Sequence, residues 1–89
     1  MTYRIRLHKQ ATKMLRNMPE GARRAIKRRI DLLADDPYQN PQLDIKKMQG
    51  FASIYRLRVG QYRIIYEIIA DELVVLILRL GPRGDVYKG

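Results

Sequence analysis

Three apolar segments in the second half of the chain follow one another with almost no sequence between them. They span Ile54–Val59, Tyr62–Ile69 and residues 73–80, and the connections between them are only two and three residues long. Connections this short join antiparallel neighbours, because a parallel pair needs a crossover of a dozen residues or more. The sequence therefore predicts a three-stranded antiparallel meander.

The first half of the chain predicts one strand and two helices. Tyr3, Ile5 and Leu7 alternate with polar residues, which is typical of a strand with one buried face. Apolar residues recur at helical spacing before and after a break at residues 19–21, which predicts a helical hairpin. Residues 37–51 contain two prolines and a glycine without a clean period, so we predict a loop there.

These elements predict an α+β fold with the order β-α-α-β-β-β. The N-terminal strand and the meander would form a four-stranded sheet, with both helices packed on one face of it. A chain of 89 residues has room for a single core, so residues 1–89 are expected to form one domain. The other face of the sheet is then expected to stay open.

Strand alternation predicts which side chains point to each face of the sheet. The side facing the helices is predicted to hold Tyr55, Leu57, Val59, Tyr62, Ile64, Tyr66, Ile68, Val74, Leu76, Leu78 and Leu80. The open side is predicted to collect arginines, with a tyrosine close by in the sequence: Arg56, Arg58, Arg63, Arg79, Arg83 and Tyr87.

A group of arginines on one face points to a phosphate ligand. Guanidinium groups bind phosphate through two parallel hydrogen bonds, and a nearby aromatic ring suits an unstacked base. The formal net charge of +9 favours a polyanionic partner such as nucleic acid, while an acidic protein or an anionic membrane surface stays open. By spacing alone, solvated surface arginines explain the pattern equally well.

Other kinds of site are disfavoured by the sequence. Cysteine is absent, which excludes disulfides and thiolate chemistry. His8 is the only histidine and is expected to be a strand-to-helix junction residue. The carboxylates that might bind a metal lie on a predicted helix end and a loop, away from the predicted strands that carry the arginines: Asp31, Asp35, Asp36 and Asp44. We therefore expect neither a metal nor another cofactor.

The targeting signals of the sequence are equally sparse. No apolar stretch reaches the roughly 18 residues of a membrane span, and no signal peptide precedes the first predicted strand. A cytoplasmic protein that does not enter membranes is therefore expected.

The stretch IYRLRVGQYRIIYEI, followed by LRLGPRGDVYKG, resembles the RelE family of bacterial and archaeal toxins within the wider RelE/ParE superfamily. The N-terminal YRIRLHKQATKMLRNMPEGARRAIKRRI resembles the first strand and helical hairpin of that family, and DIKKMQG resembles its lysine-rich loop. The resemblance implies a ribosome-dependent endoribonuclease that cuts mRNA in the A site. It also implies a toxin, monomeric when alone, that an acidic and partly disordered RelB-like antitoxin holds in an inactive hetero-oligomer.

The resemblance also implies roles for five residues. Arg56 and Arg58 stand where the family has two lysines, while Arg63, Arg83 and Tyr87 match its remaining catalytic positions in type. The implied reaction is a metal-free attack of the ribose 2′-hydroxyl on the neighbouring phosphate. Because arginine does not release its proton, the arginines are expected to stabilise charge, and the role of base falls to Tyr87 or to positioning by the ribosome.

A wider set of basic residues is expected to bind RNA or the ribosome: Arg4, Arg6, Arg23, Arg24, Lys27, Arg28, Lys46, Lys47, Arg79 and Lys88. On the second helix, solvation of the outer surface explains the basic run better than binding does. Two other functions stay open at this point. One is a ParE-like toxin that inhibits DNA gyrase through protein contact, and the other is a non-catalytic RNA- or ribosome-binding module.

Overall fold

The computed structural model describes residues 2–82, and its elements follow the predicted order with one additional strand. They are β1 (Arg4–Leu7), α1 (Lys9–Arg16), α2 (Glu20–Leu33), β2 (Asp44–Lys47), β3 (Ile54–Val59), β4 (Tyr62–Ile69) and β5 (Val74–Pro82). A 3₁₀ turn, Ala70–Glu72, joins β4 to β5. The α+β class is therefore confirmed. Neither of the two helices in this part of the chain is long and apolar enough to cross a membrane.

The five strands form one sheet in the order β1-β5-β4-β3-β2. The predicted meander β3-β4-β5 is antiparallel throughout, and β1 extends it by pairing in parallel with β5. The β3–β4 connection is a two-residue turn in which Gly60 has a φ of 57°. Glycine adopts this left-handed conformation at little cost, and the turn closes the hairpin in a single register.

The strand β2 lies within the segment predicted as a loop, so the prediction of a four-stranded sheet was wrong. Leu43 and Ile45 pack against the core, while Asp44 and Lys46 are exposed. This is the alternation of a half-buried strand, and β2 pairs antiparallel with β3. Four residues between a proline and a glycine are too few for periodicity to stand out in the sequence.

A β-bulge changes the register of β5. Ile65 pairs with Arg79, but the next residue, Tyr66, pairs with Ile77, so Leu78 is left over between them. An extra residue of this kind shifts the inward–outward alternation of the strand by one position from one side of the bulge to the other. Residues before Leu78 therefore point to the opposite face from the one predicted.

The bulge corrects three predicted inward positions of β5. Val75 and Ile77 join the core, whereas Val74 and Leu76 lie on the other face and Leu78 is the bulged residue. The inward direction of Leu80 was predicted correctly, because it follows the bulge. Since β5 is apolar on both sides, its sequence carries no signal for the register.

The core lies between the helices and one face of the sheet, as predicted. The two helices contribute Ala11, Ile26, Ile30 and Leu33. The three strands of the meander contribute Leu57, Ile64, Tyr66, Ile68, Val75, Ile77 and Leu80. Burial of these apolar side chains is the main favourable contribution to folding.

His8 is a junction residue, as predicted. It lies between β1 and α1, and its Nδ1 accepts a hydrogen bond from the Gln10 backbone N–H at 3.1 Å. A side-chain acceptor at this position satisfies one of the backbone donors that every helix leaves unpaired at its start. The single imidazole of the chain therefore has a structural partner at the start of α1.

A buried tyrosine ties the segment after α2 to the sheet. Tyr66 is fully buried, and its hydroxyl donates to the Pro37 carbonyl at 2.8 Å. The ring of Tyr55 stacks on Tyr66 with 5.8 Å between centroids. Burial raises the pKa of the Tyr66 hydroxyl above its ordinary value, and Tyr55 and Asp36 add to this shift.

We expect Tyr66→Phe to lower the free energy of unfolding by about 1–3 kcal/mol, because the buried Pro37 carbonyl loses its donor. Unfolding in urea at neutral pH measures this effect. The pKa of Tyr66 is higher in the folded chain than in the unfolded one. Its contribution is therefore complete below about pH 10, the ordinary pKa of tyrosine, and is lost as the pH rises further.

The control is Tyr62→Phe, which removes a half-buried hydroxyl that has no hydrogen-bond partner within residues 2–82. Its effect should stay within about 0.5 kcal/mol. Equal stability of Tyr66→Phe and wild type would show that the Pro37 contact contributes nothing.

Candidate active site

Cross-strand pairing brings the predicted arginines of β3 and β4 together. Arg58 lies directly opposite Arg63, and Arg56 lies opposite Ile65. Residues paired in this way share a face, with Cβ atoms about 4.5–5.5 Å apart. The two-residue turn at Gly60 fixes this pairing. Three of the five candidate catalytic residues therefore lie on one face of two neighbouring strands.

The other strands add basic residues to the same face. Lys46 of β2 lies opposite Arg56, and Arg79 of β5 joins the face through its pairing with β4. Arg4 and Arg6 reach it from β1, which pairs with β5 in register. The surface away from the core, which we call the arginine face, thus receives a basic side chain from each of the five strands.

A cleft opens where the β3–β4 hairpin meets the end of β5. Its volume is about 470 Å³, and it is lined by Arg58, Gly60, Gln61, Arg63 and Pro82. Arg83 follows Pro82 in the sequence. Arg83, Tyr87 and Lys88 lie outside the described residues. Two of the candidate catalytic arginines therefore line one cleft beside the last described residue of β5.

Arg63 is the most unusual member of the cleft, because it is only 8% exposed. Its Nη1 donates to the Tyr62 carbonyl at 3.4 Å, which is long for such a bond. No carboxylate within residues 2–82 forms an ion pair with it. A buried charge without a partner is unfavourable. Arg63 is therefore well suited to receive an anion.

Asp44 joins two of the arginines. Its Oδ1 accepts from Nη2 of Arg56 at 3.0 Å, and its Oδ2 lies 2.8 Å from Nε of Arg58. The expectation that this carboxylate lies on a loop away from the arginine strands was wrong, because β2 places it directly opposite Arg58. The alternation of Leu43 and Ile45 with polar residues is the trace that this strand leaves in the sequence, and it is too short to predict the strand by itself.

Part of the predicted binding set lies elsewhere. Lys47 is paired with Tyr55, on the side of the sheet that faces the core. The basic residues of α2 are on a helix whose apolar stripe packs on the core, so they do not join the arginine face: Arg23, Arg24, Lys27 and Arg28. Arg24 pairs with Glu20 at 2.7 Å.

A second basic cleft was not predicted. It has a volume of about 630 Å³ and runs along the outer surface of α1, lined by Lys9, Gln10, Thr12, Lys13 and Arg16. Its three basic residues recur four and seven positions apart, which is the spacing of one helix face and would have revealed it. Within residues 2–82 no group of three or more metal-ligating side chains could hold a metal ion.

Comparison with known proteins relates this fold to toxins. The family model described as ParE toxin of type II toxin-antitoxin system, parDE, matches residues 5–87. Toxin RelE3 of Methanocaldococcus jannaschii is 35% identical over 80 residues, which cover 89% of each chain. The mRNA interferase toxin RelE of Escherichia coli K12 is 25% identical over 92 residues, covering 99% of this chain and 93% of that protein.

A solved structure agrees with these matches. In the crystal structure of the archaeal RelE–RelB complex from Pyrococcus horikoshii OT3, the matched chain is 37% identical to this one, with a TM-score of 0.81. The match covers 96% of this chain and 99% of that one. The fold and the matches thus define a toxin of a type II toxin–antitoxin system. The chain belongs to the RelE family within the RelE/ParE superfamily, which confirms the resemblance seen in the sequence.

Proposed function

We propose that this toxin is a ribosome-dependent endoribonuclease that cleaves mRNA in the A site. The observation that carries the proposal is the buried Arg63 beside Arg58 in an open cleft, with no carboxylate partner for Arg63 in the described chain. Such a site is suited to a phosphate. The Escherichia coli relative is named as an mRNA interferase, which supports RNA as the source of that phosphate.

The proposed reaction is an attack of the ribose O2′ on the adjacent phosphorus. The O2′–P bond forms, the P–O5′ bond breaks, and the products are a 2′,3′-cyclic phosphate and a 5′-hydroxyl. Negative charge grows on the non-bridging oxygens as the phosphorane forms. Fixed cations stabilise that charge best where little water is present, and this is the role we assign to Arg56, Arg58 and Arg63.

Two proton transfers complete the reaction. The 2′-hydroxyl proton is proposed to pass to the phenolate form of Tyr87. Guanidinium groups would favour that form if they lie close to the phenol in the complex, because positive charge lowers a phenol pKa. The leaving O5′ takes up one proton from solvent, and Arg83 is proposed to face this oxygen. Arginine side chains are not expected to serve as bases, because they stay protonated at any physiological pH.

The proposed need for a ribosome is supported by what the described site offers. It provides cations, whereas the single imidazole, His8, caps α1 through Nδ1. Holding the 2′-oxygen, the phosphorus and the leaving oxygen in line is therefore left to a partner that already holds the mRNA. Positioning of this kind accelerates reactions strongly. The toxin is proposed to act in the cytoplasm, where translation takes place.

The proposed inhibitor is a RelB-like antitoxin. The homologous toxin from Pyrococcus horikoshii was solved as a RelE–RelB complex. A basic sheet face and a net charge of +9 suit an acidic, partly disordered segment that folds as it binds. The toxin is proposed to be monomeric when free and to form a hetero-oligomer with this antitoxin.

The test is to map RNA ends in a translation reaction with and without the protein. We expect new 5′ ends within the A-site codon, and no rapid cleavage of naked RNA at the same protein concentration. Cleavage should persist when a chelator is added at a level that leaves the ribosomes intact.

Two other results would contradict the proposal. Inhibition of DNA gyrase without new RNA ends would identify a ParE-like activity, which the name of the matched family model makes the second candidate. Ribosome binding without any cut RNA would identify a non-catalytic binding module.

A further inference from the structure

We propose that in the free toxin the Asp44 carboxylate stands where a phosphate group of the RNA binds, between Arg56 and Arg58. The inference deepens the proposed function and rests on it for the identity of the phosphate. In this view Asp44 is a built-in competitor that RNA displaces when it binds, and the ion pairs it forms are those that the substrate replaces.

The contact geometry is that of a bridging anion. Each oxygen of the carboxylate contacts a different guanidinium, at 3.0 Å to Arg56 Nη2 and at 2.8 Å to Arg58 Nε. A phosphodiester also presents two anionic oxygens, and charge-assisted hydrogen bonds from guanidinium to phosphate have the same form and length as those to carboxylate. A phosphate can therefore take over both contacts while the two arginines stay in place.

The charges around Asp44 explain why an anion is needed there when RNA is absent. Arg58 faces Arg63 across the hairpin, and Lys46 faces Arg56. Like charges placed directly opposite each other on a sheet are destabilising. Within the described chain Asp44 is the carboxylate that ion-pairs with this cluster. In the free toxin Asp44 therefore reduces the repulsion among these cations, and in the complex an RNA phosphate would do the same.

The same contacts show that Asp44 can be displaced. Its side chain is 43% exposed, that of Arg58 is 50% exposed, and exposed ion pairs typically contribute only about 0–1 kcal/mol. Asp44 engages Nη2 of Arg56 but leaves Nε, a buried atom, without an acceptor among the described residues. The carboxylate thus uses only part of the hydrogen-bonding capacity of Arg56 and is weakly held on the Arg58 side.

The experiment is a titration of the full chain with inorganic phosphate at constant ionic strength, followed through the arginine side-chain NMR signals. We expect Asp44→Asn to bind phosphate about three- to tenfold more tightly than wild type, because the competing carboxylate is gone. The matched control is Asp71→Asn. It changes the net charge equally but lies in the 3₁₀ turn after β4, at the other end of that strand from Arg63.

The controls define the outcomes. Asp71→Asn should change the phosphate affinity less than twofold, and Asp44→Glu, which keeps a carboxylate within reach, should resemble wild type. A similar gain in both asparagine variants would show an effect of net charge alone and would overturn the inference. Weaker phosphate binding by a folded Asp44→Asn would also overturn it, because Asp44 would then be a positioning residue for the arginines.

Ribosomal cleavage gives a second readout that a purely structural ion pair would not produce. Tighter ground-state binding lowers KM without raising kcat. We therefore expect Asp44→Asn to lower KM and leave kcat unchanged or reduced. The phosphate titration uses no ribosome, so its failure is distinguishable from failure of the proposed nuclease activity. If Asp44→Asn binds phosphate more tightly but the toxin cuts no RNA, the result would support the anion site and contradict the proposed nuclease activity.

Discussion

Replacing Arg63 with alanine is expected to slow cleavage on programmed ribosomes by about 10²–10³-fold. A loss of this size is usual when one fixed hydrogen-bond donor that stabilises the developing charge of a transition state is removed. The donor is pre-positioned, since Arg63 is buried on β4 and faces the cleft without a carboxylate partner in residues 2–82. Single-turnover cleavage with saturating toxin measures the chemical step directly.

Stability separates this effect from misfolding. Arg63→Ala removes a buried cation that lies opposite Arg58, so we expect the melting temperature to stay level or rise. The matched control is Arg29→Ala, an exposed arginine of α2 that is neither on the arginine face nor in the set expected to bind RNA or the ribosome. Its cleavage rate should stay within about twofold of wild type.

Two results would argue against this role of Arg63. A wild-type cleavage rate for Arg63→Ala would remove this residue from the mechanism. A loss of ribosome affinity as large as the loss of rate would indicate ground-state binding in place of transition-state stabilisation. Arg63→Lys should restore little, because an ammonium cannot reproduce the planar pair of donors.

The position of Arg63 is a part of the site that could be predicted from the sequence. The boundaries of β3 and β4 were predicted correctly, because a two-residue connection containing glycine fixes both strand ends. Once that turn is fixed, alternation alone places Arg58 opposite Arg63 and both away from the helices. Short-range geometry was sufficient here.

Two other features depend on contacts between segments distant in sequence. The bulge at Leu78 has no signature in a strand that is apolar on both sides, because either register buries a similar surface. The strand β2 is held by its pairing with β3 and by two apolar side chains, Leu43 and Ile45. Because β2 was not predicted, Asp44 could not be placed next to the arginines from the sequence.

The proposed site consists largely of arginines, which are poor bases, so another residue has to accept the 2′-hydroxyl proton. The resemblance to the family implies lysines at the two positions where this chain has Arg56 and Arg58, and a guanidinium group is a poor base. In the proposed complex the RNA phosphate displaces the Asp44 carboxylate from both of these arginines, so Asp44 is assigned no part in the proton transfer. In the proposed reaction the 2′-hydroxyl proton is therefore assigned to Tyr87, a residue outside the described part of the chain.

We therefore expect Tyr87→Phe to lower the rate of cleavage by about 10²-fold or more, the usual size of a contribution from general acid–base catalysis. The substitution keeps the ring, which could stack on a base, and removes only the hydroxyl. Affinity for the programmed ribosome should therefore change little. Single-turnover cleavage and a parallel binding measurement together give both quantities.

Comparison of Tyr87→Phe with Tyr87→Ala distinguishes the roles that Tyr87 could have. If the ring acts only by stacking, Tyr87→Phe will cleave like wild type and Tyr87→Ala will not. If the hydroxyl takes the proton, both variants will be slow, and the phenylalanine variant will still bind the ribosome. The control is Tyr62→Phe, which removes a phenol from the residue paired with Pro82 at the edge of the cleft and should cleave within about twofold of wild type. Wild-type rates for both Tyr87 variants would exclude this residue from the reaction and assign the alignment of the 2′-hydroxyl to the ribosome, since the cations of the arginine face cannot accept its proton.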